Sequence, residues 1–208
     1  TKDNNVIVHH GSDGKVNGLH PSQNTLAQIR AAGKLSNGEQ IPTLEEFIKV
    51  VCVKGCCTRL WLETKNITND ELTSKEQEAA IVNGFKRAMD IVLEKKAQNF
   101  VAFNGTGRKA VFNTIYPMAK AKGFKMSIAS TATAASMKSS GYAWASYDIT
   151  DKTDDALKAT VSQYKTNGIE LSMYCFDTDA QRTLAKQIKG DVKGLLTNYP
   201  SKLLSVAF

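Results

Sequence analysis

The chain has 208 residues, 42% hydrophobic and 23% charged, enough to bury a core and too balanced for a disordered or low-complexity segment. Its apolar runs are only a few residues long, which excludes a membrane-spanning helix. Lysine and arginine outnumber aspartate and glutamate by 27 to 20; the excess is spread without a basic block or interleaved aromatics, which argues against nucleic acid and suits a small anionic partner.

The polar opening Thr1-Lys2-Asp3-Asn4-Asn5 leads into Val6-Ile7-Val8-His9, a β-branched run that predicts a strand over 5–9. Residues 11–38 are rich in Gly, Asn and Ser and read as a loop. Thr43 and Glu46 then form a capping-box pattern, with Leu44, Phe47, Ile48 and Val51 at helical spacing behind it. Cys52, Cys56 and Cys57 crowd together at the end of that helix, and Cys175 lies far away in a predicted strand. They give neither a disulfide framework nor a CxxC pair, and read as small buried hydrophobes. Further on, strands are predicted over 59–64, 100–103, 125–129, 142–147, 169–175 and 194–197. Helices are predicted between them over 73–98, 108–122, 133–139, 154–166 and 180–188, with Gly123 and Asn167-Gly168 as stops and Pro200 opening a terminal stub.

Seven strands alternating with six helices predict a parallel sheet in an α/β fold. No GxGxxG follows a strand, so the dinucleotide-binding open sheet loses its main signature. A (β/α)8 TIM-type barrel is the better match, with residues 1–208 as a single barrel domain. Such a barrel takes eight strands and about 250 residues, so the expectation is that a first strand and helix of about 35 residues are absent from this sequence.

The chemistry concentrates at strand ends. In Arg59-Leu60-Trp61-Leu62-Glu63-Thr64-Lys65, alternation puts Trp61, Glu63 and Lys65 on one face and Leu60 and Leu62 on the other. A carboxylate and an ammonium at the C-terminal end of a buried parallel strand are costly unless paired or bound, and barrels build their active sites at that end. Two readings stand: a Glu–Lys pair that satisfies itself, or a metal-ligating Glu63 beside a Lys65 that holds a substrate anion. His9 and His10 close the first predicted strand and point opposite ways, so one of them can face a site. With Glu63 on a neighbouring strand end, His9 is the candidate general acid or base, because imidazole titrates near neutrality. His20 reads as a surface residue. Tyr142, Trp144 and Tyr147 read as packing, whereas Tyr174, near the end of a late strand, is a candidate substrate contact. Asp177, Thr197 and Asn198 fall at or just past strand ends as candidate supporting partners.

Several of these segments resemble the glycerophosphodiester phosphodiesterase family, bacterial type. Thr1-Lys2-Asp3 leading into Val6-Ile7-Val8-His9 is similar to the family's TKDG…VV.HD segment. Gly38-Glu39-Gln40-Ile41-Pro42-Thr43-Leu44-Glu45-Glu46 resembles its G..IPTLEE run, Leu60 to Lys65 its L.LEIK strand, and Gly194 to Pro200 its GIITD.P signature. The resemblance runs in order over essentially the whole chain. It implies hydrolysis of a glycerophosphodiester to glycerol phosphate and an alcohol, with a divalent cation, Ca2+ or Mg2+. Carried over by position, Glu63 is a metal ligand, Lys65 a catalytic and phosphate-contacting residue, and His9 one of two acid/base histidines. An extracytoplasmic location is also implied.

The departures are specific. His10 stands where the family has aspartate, Tyr174 where it usually has tryptophan, and Asn198 where aspartate is common. The family's HRG histidine and Glu-x-Asp ligands belong upstream of Thr1. These departures leave a second expectation open: a catalytically silent barrel that only binds glycerophosphate-like anions.

Overall fold

The structure, a computed structural model, describes residues 1–10, 14–51, 60–63, 73–105, 109–129 and 132–207. In chain order its elements are α1 (Leu26–Ala32), α2 (Leu44–Val51), β1 (Leu60–Glu63), α3 (Ser74–Glu94), β2 (Val101–Gly105), α4 (Lys109–Ala121) and β3 (Met126–Ala129), then α5 (Ala134–Ser139), β4 (Trp144–Asp148), α6 (Asp154–Thr166), β5 (Glu170–Tyr174), α7 (Asp179–Ile188), β6 (Gly194–Leu195) and α8 (Pro200–Ala207). The strands hydrogen-bond in chain order as a six-stranded sheet. The pairs β1–β2, β3–β4, β4–β5 and β5–β6 are parallel, as helical crossovers between successive strands require. The α/β alternation read from the sequence is therefore present.

One predicted strand is not in that sheet. Ile7 makes a single antiparallel bridge to Thr43, flanked by Val8 N donating to Pro42 O at 3.0 Å and Leu44 N donating to Val6 O at 2.7 Å. The β-branched run over 5–9 thus clips onto the entry to α2 instead of joining the parallel strands. Among the described residues the sheet has six strands, where the sequence pattern predicts seven.

The helix starts follow local chemistry. Thr25, Thr73 and Thr178 each accept from the backbone N–H three residues on, while Gln28, Glu76 and Gln181 reach back to close capping boxes. Thr43 and Glu46 exchange the same two bonds at 3.2 and 2.7 Å. Helix ends are less uniform. Gly123 (φ +77°) stops α4, with Phe124 N donating back to Ala119 O at 2.9 Å. At the end of α3 the left-handed position is taken by Lys96 (φ +55°), a residue that pays a steric penalty there, and the helix ends at Glu94, short of the predicted 98.

The chain divides into two compact units, Thr1–Met126 and Ser127–Phe208. In the first, α3 turns Ile81, Phe85, Ala88, Met89, Ile91 and Val92 inward. Phe85 meets Phe103 of β2 at a centroid distance of 5.7 Å, and Phe103 meets Phe124 edge-on at 5.1 Å, a favoured aromatic geometry. At the end of β2, a Cβ on Gly105 would stand 2.3 Å from Phe112 Cδ2; the ring of α4 fills the space that a side chain would need. A smaller cluster of Val16, Ile29 and Ile41 holds α1.

In the second unit, Ala145 of β4 and Leu171 and Met173 of β5 join Leu157, Val161 and Tyr164 of α6 and Leu184, Ala185 and Ile188 of α7 in one core. Tyr164 is buried, its hydroxyl donates to Ala132 O at 2.8 Å, and burial raises its pKa above the ordinary phenol value.

Candidate active site

Alternation along each strand decides which residues reach the site. Parallel strands in register present paired residues on the same side. In the first unit, Trp61 pairs with Ala102 and Glu63 with Asn104. Leu60, Val101 and Phe103 are buried, so Trp61, Glu63, Ala102 and Asn104 share the face opposite the Phe85–Phe103–Phe124 core. Glu63 is the last residue of β1 and is exposed, while Asn104 is buried at the end of β2. The predicted grouping of Trp61 with Glu63 therefore holds. The predicted burial does not: Glu63 is in water, so the cost of burying a charge is not what makes it informative. Its place at the C-terminal end of a parallel strand, beside a buried amide, is.

In the second unit the same parity gives a polar face. Trp144 pairs with Glu170, Ser146 with Ser172, and Asp148 with Tyr174. Ser146 and Ser172 are buried, and Trp144 Nε1 donates to Ser172 Oγ at 3.0 Å. Tyr147 lies on the other side, edge-on to Tyr164 at 6.3 Å. Tyr147 and Tyr142 thus pack against the core of this unit, whereas Trp144 stands on the polar face with Ser172.

Tyr174 ends β5, and the turns beyond it are tied to the turn after β6. Phe176 N donates to Leu196 O at 2.8 Å. Asp177 Oδ1 accepts from Asn198 N at 2.8 Å and lies 3.0 Å from Thr197 Oγ1, and its Oδ2 accepts from Asn198 Nδ2 at 2.6 Å. The bond from Asn198 N is the main reason that the Asp177 carboxyl lies below the ordinary aspartate value; the Asn198 and Thr197 side chains and nearby Arg182 act in the same direction. Arg182, itself buried, donates to Asp177 O and to the Asp179 carboxylate. The three residues expected to support a site are brought together.

Other expectations fare differently. His9 and His10 are exposed, in the segment after the Ile7–Thr43 bridge. That segment is not a neighbouring strand of β1, whose partner in the sheet is β2. His20 is half-buried, with no hydrogen-bond partner at Nδ1 among the described residues. Lys65 lies outside the described residues, as do Arg59, Thr64, Cys52, Cys56 and Cys57. Cys175 is half-buried just past β5.

Two strand-end residues escaped the sequence reading, Asn104 and Asp148. The predicted strands stop at 103 and 147, whereas β2 runs on to Gly105 and β4 to Asp148. The signal is available, since both are polar residues that directly follow a predicted strand. Asp148 Oδ1 accepts from Thr150 N at 2.8 Å, so it also closes the turn after β4.

Glu63 is a hard oxygen donor of the kind that Ca2+ and Mg2+ select, but such ions take roughly six to eight ligands or keep several waters. Among the described residues no group of three or more His, Cys, Asp or Glu side chains is placed to hold a metal. Glu63 thus matches a divalent ion in donor type.

Polar side chains at the C-terminal ends of parallel strands, on the face turned from the core, are the arrangement of barrel-type α/β enzymes. Solved structures agree on the fold. A glycerophosphodiester phosphodiesterase from Parabacteroides distasonis matches with a TM-score of 0.74 at 18% identity, covering 100% of this chain and 79% of that one. A putative glycerophosphoryl diester phosphodiesterase from Silicibacter pomeroyi matches at 0.73 and 16% identity, over 100% and 80% of the two chains. An Oleispira antarctica phosphodiesterase in complex with the product sn-glycerol-3-phosphate matches at 0.66 and 14% identity, over 99% and 81%. No curated protein sequence matches. The sequence model of the glycerophosphoryl diester phosphodiesterase family matches residues 1–202, and the chain belongs to that family. By that membership it is a phosphodiesterase, as the segments around His9, Pro42, Glu63 and Asn198 implied.

Proposed function

We propose that the chain hydrolyses glycerophosphodiesters to glycerol phosphate and an alcohol with the help of Ca2+ or Mg2+. The observation that carries this reading is Glu63, a carboxylate in water at the last position of a parallel strand, within a chain that matches its family over residues 1–202. Bound with Glu63 as one of its ligands, the cation would polarise the phosphoryl oxygens and offset the charge that develops on them. Lys65 contributes an ammonium for the same oxygens, and His9 moves a proton: water's oxygen bonds to phosphorus and gives up a proton as the bond from phosphorus to the alcohol oxygen breaks, and the leaving oxygen takes one up, a transfer that the His9 imidazole can mediate. Tyr174 contacts substrate. The product held by the Oleispira antarctica relative supports glycerol phosphate as the product here. The eight-stranded barrel belongs to the proposal too, with six strands described and two more needed to close it. So does an extracytoplasmic location, which rests on the resemblance alone.

The test is turnover of glycerophosphocholine by the natural-length protein, with and without added Ca2+ or Mg2+, beside Glu63→Ala. The expected result is metal-dependent hydrolysis that falls about a hundredfold or more in the variant, the scale of a lost Lewis-acid contribution of a few kcal/mol. No turnover with either metal, from folded protein that still binds glycerol phosphate, would favour the silent anion-binding barrel instead.

A further inference from the structure

The joint built on Asp177 goes beyond the family reading, because it concerns a residue to which that reading gives no part in holding the cation, the phosphate or the transferred proton. Every polar group of Asp177 is engaged. Its N–H donates to Gln181 Oε1 at 3.0 Å and its carbonyl accepts from the buried Arg182 guanidinium, both side chains belonging to the start of α7. Its carboxylate is held by Asn198 N, Asn198 Nδ2 and Thr197 Oγ1, all just past β6. Three elements therefore meet at one residue, three positions after Tyr174. Between them lies Phe176, fully buried and bonded through its N–H to Leu196 O at 2.8 Å. Behind Tyr174, its carbonyl accepts from Ile149 N at 2.8 Å. The segment that leaves β5 is consequently fixed at both ends, and its far end is fixed by side-chain bonds to a carboxylate, which are stronger than neutral ones.

We propose that Asp177 is a positioning residue for the diesterase reaction: by tying the turn after β5 to Thr197 and Asn198 after β6, it holds Tyr174 in the orientation that meets substrate. The proposal rests on the hydrolase reading for its kinetic consequence and on geometry alone for the joint. Asn198 has a specific place in it. Where the family commonly carries aspartate, this chain has an amide that donates to Asp177 Oδ2 at 2.6 Å; a second carboxylate there would face the first. A chain with aspartate at 198 would need a donor at 177, so exchanging the two side chains should restore the pair.

The test compares Asp177→Ala, Asn198→Asp and the exchange Asp177→Asn/Asn198→Asp in the natural-length protein. Two readouts are used: kcat and KM for glycerophosphocholine, and the ring NMR signals of Tyr174, assigned with Tyr174→Phe. Loss of a charge-assisted hydrogen-bonded contact predicts KM raised about tenfold in each single variant, with kcat within about threefold, and a return towards wild-type KM in the exchange. The Tyr174 ring signals should shift in the single variants and return in the exchange. Unchanged KM and unchanged ring signals in folded Asp177→Ala would overturn the proposal, as would a folded exchange variant that restores neither. Should Asp177→Ala fail to fold, Asn198→Asp and the exchange decide by the same criteria. Absence of turnover in wild type would overturn the hydrolase reading and the kinetic role with it, while the ring signals would still decide whether Asp177 holds Tyr174.

Discussion

The two faces of β4 and β5 carry different burdens on alternate residues of the same short strands. On one side Ala145, Leu171 and Met173 are buried in the core with α6 and α7. On the other, Ser146 and Ser172 are buried as polar groups, Ser172 takes the Trp144 indole proton, and Asp148 and Tyr174 bring the row to its C-terminal end. Apolar packing and polar groups are thus separated by parity, not by distance. A one-residue slip in register would send every apolar residue to the polar side and the reverse, which is why the hydrophobic row also fixes where Tyr174 stands.

The comparison can be broken most severely on the apolar side. Met173→Ala should cost about 2–5 kcal/mol of unfolding free energy, as core truncations of that size do, yet leave turnover per folded molecule nearly unchanged; denaturant unfolding and kinetics on the same sample check both halves. On the polar side, Ser172→Ala should cost about 1–3 kcal/mol, because the half-buried Trp144 N–H loses its acceptor. A shift in Trp fluorescence should accompany it, and an unchanged stability would mean that another acceptor takes over. The smallest effect depends on pH. The folded-state pKa of Asp177 lies below its ordinary value, chiefly through the Asn198 N–H, so its ionised form adds stability above the unfolded value of about 3.9. That contribution disappears as pH falls through the folded value. Asp177→Asn should therefore be less stable than wild type near neutral pH, with the gap narrowing steadily as the pH drops below about 4.

What the sequence disclosed depended on how local each signal is. The starts of α2 and α3 were legible because a threonine and a glutamate three residues on satisfy orphan N–H groups by themselves. The same signal, Thr25 and Gln28, lay unused within the stretch read as loop, and α1 was missed for that reason. The end of α3 was illegible, since Lys96 takes a conformation that composition assigns to glycine. The run at 5–9 was misassigned because a β-branched segment looks alike whether it joins a sheet or clips onto a loop; only tertiary pairing, here Ile7 with Thr43, distinguishes them. At the candidate site, Glu63 and Tyr174 were readable from strand position. Asn104 and Asp148 were lost to errors of two residues and one residue at the ends of β2 and β4, where boundaries are least certain. The Asp177–Asn198 pairing, whose partners stand 21 positions apart in sequence, is visible only in three dimensions.

The contact between Gly105 and Phe112 limits how this part of the chain can drift. Because the ring occupies the volume that any Cβ at 105 would enter, position 105 is not free to vary alone: a side chain there becomes acceptable only after the aromatic at 112 has shrunk. Among relatives the two sites should change hands together, glycine with a large ring, a small side chain with an aliphatic one. The end of β2 beside Asn104 would then keep its path through many substitutions, with the pair acting as one inherited unit.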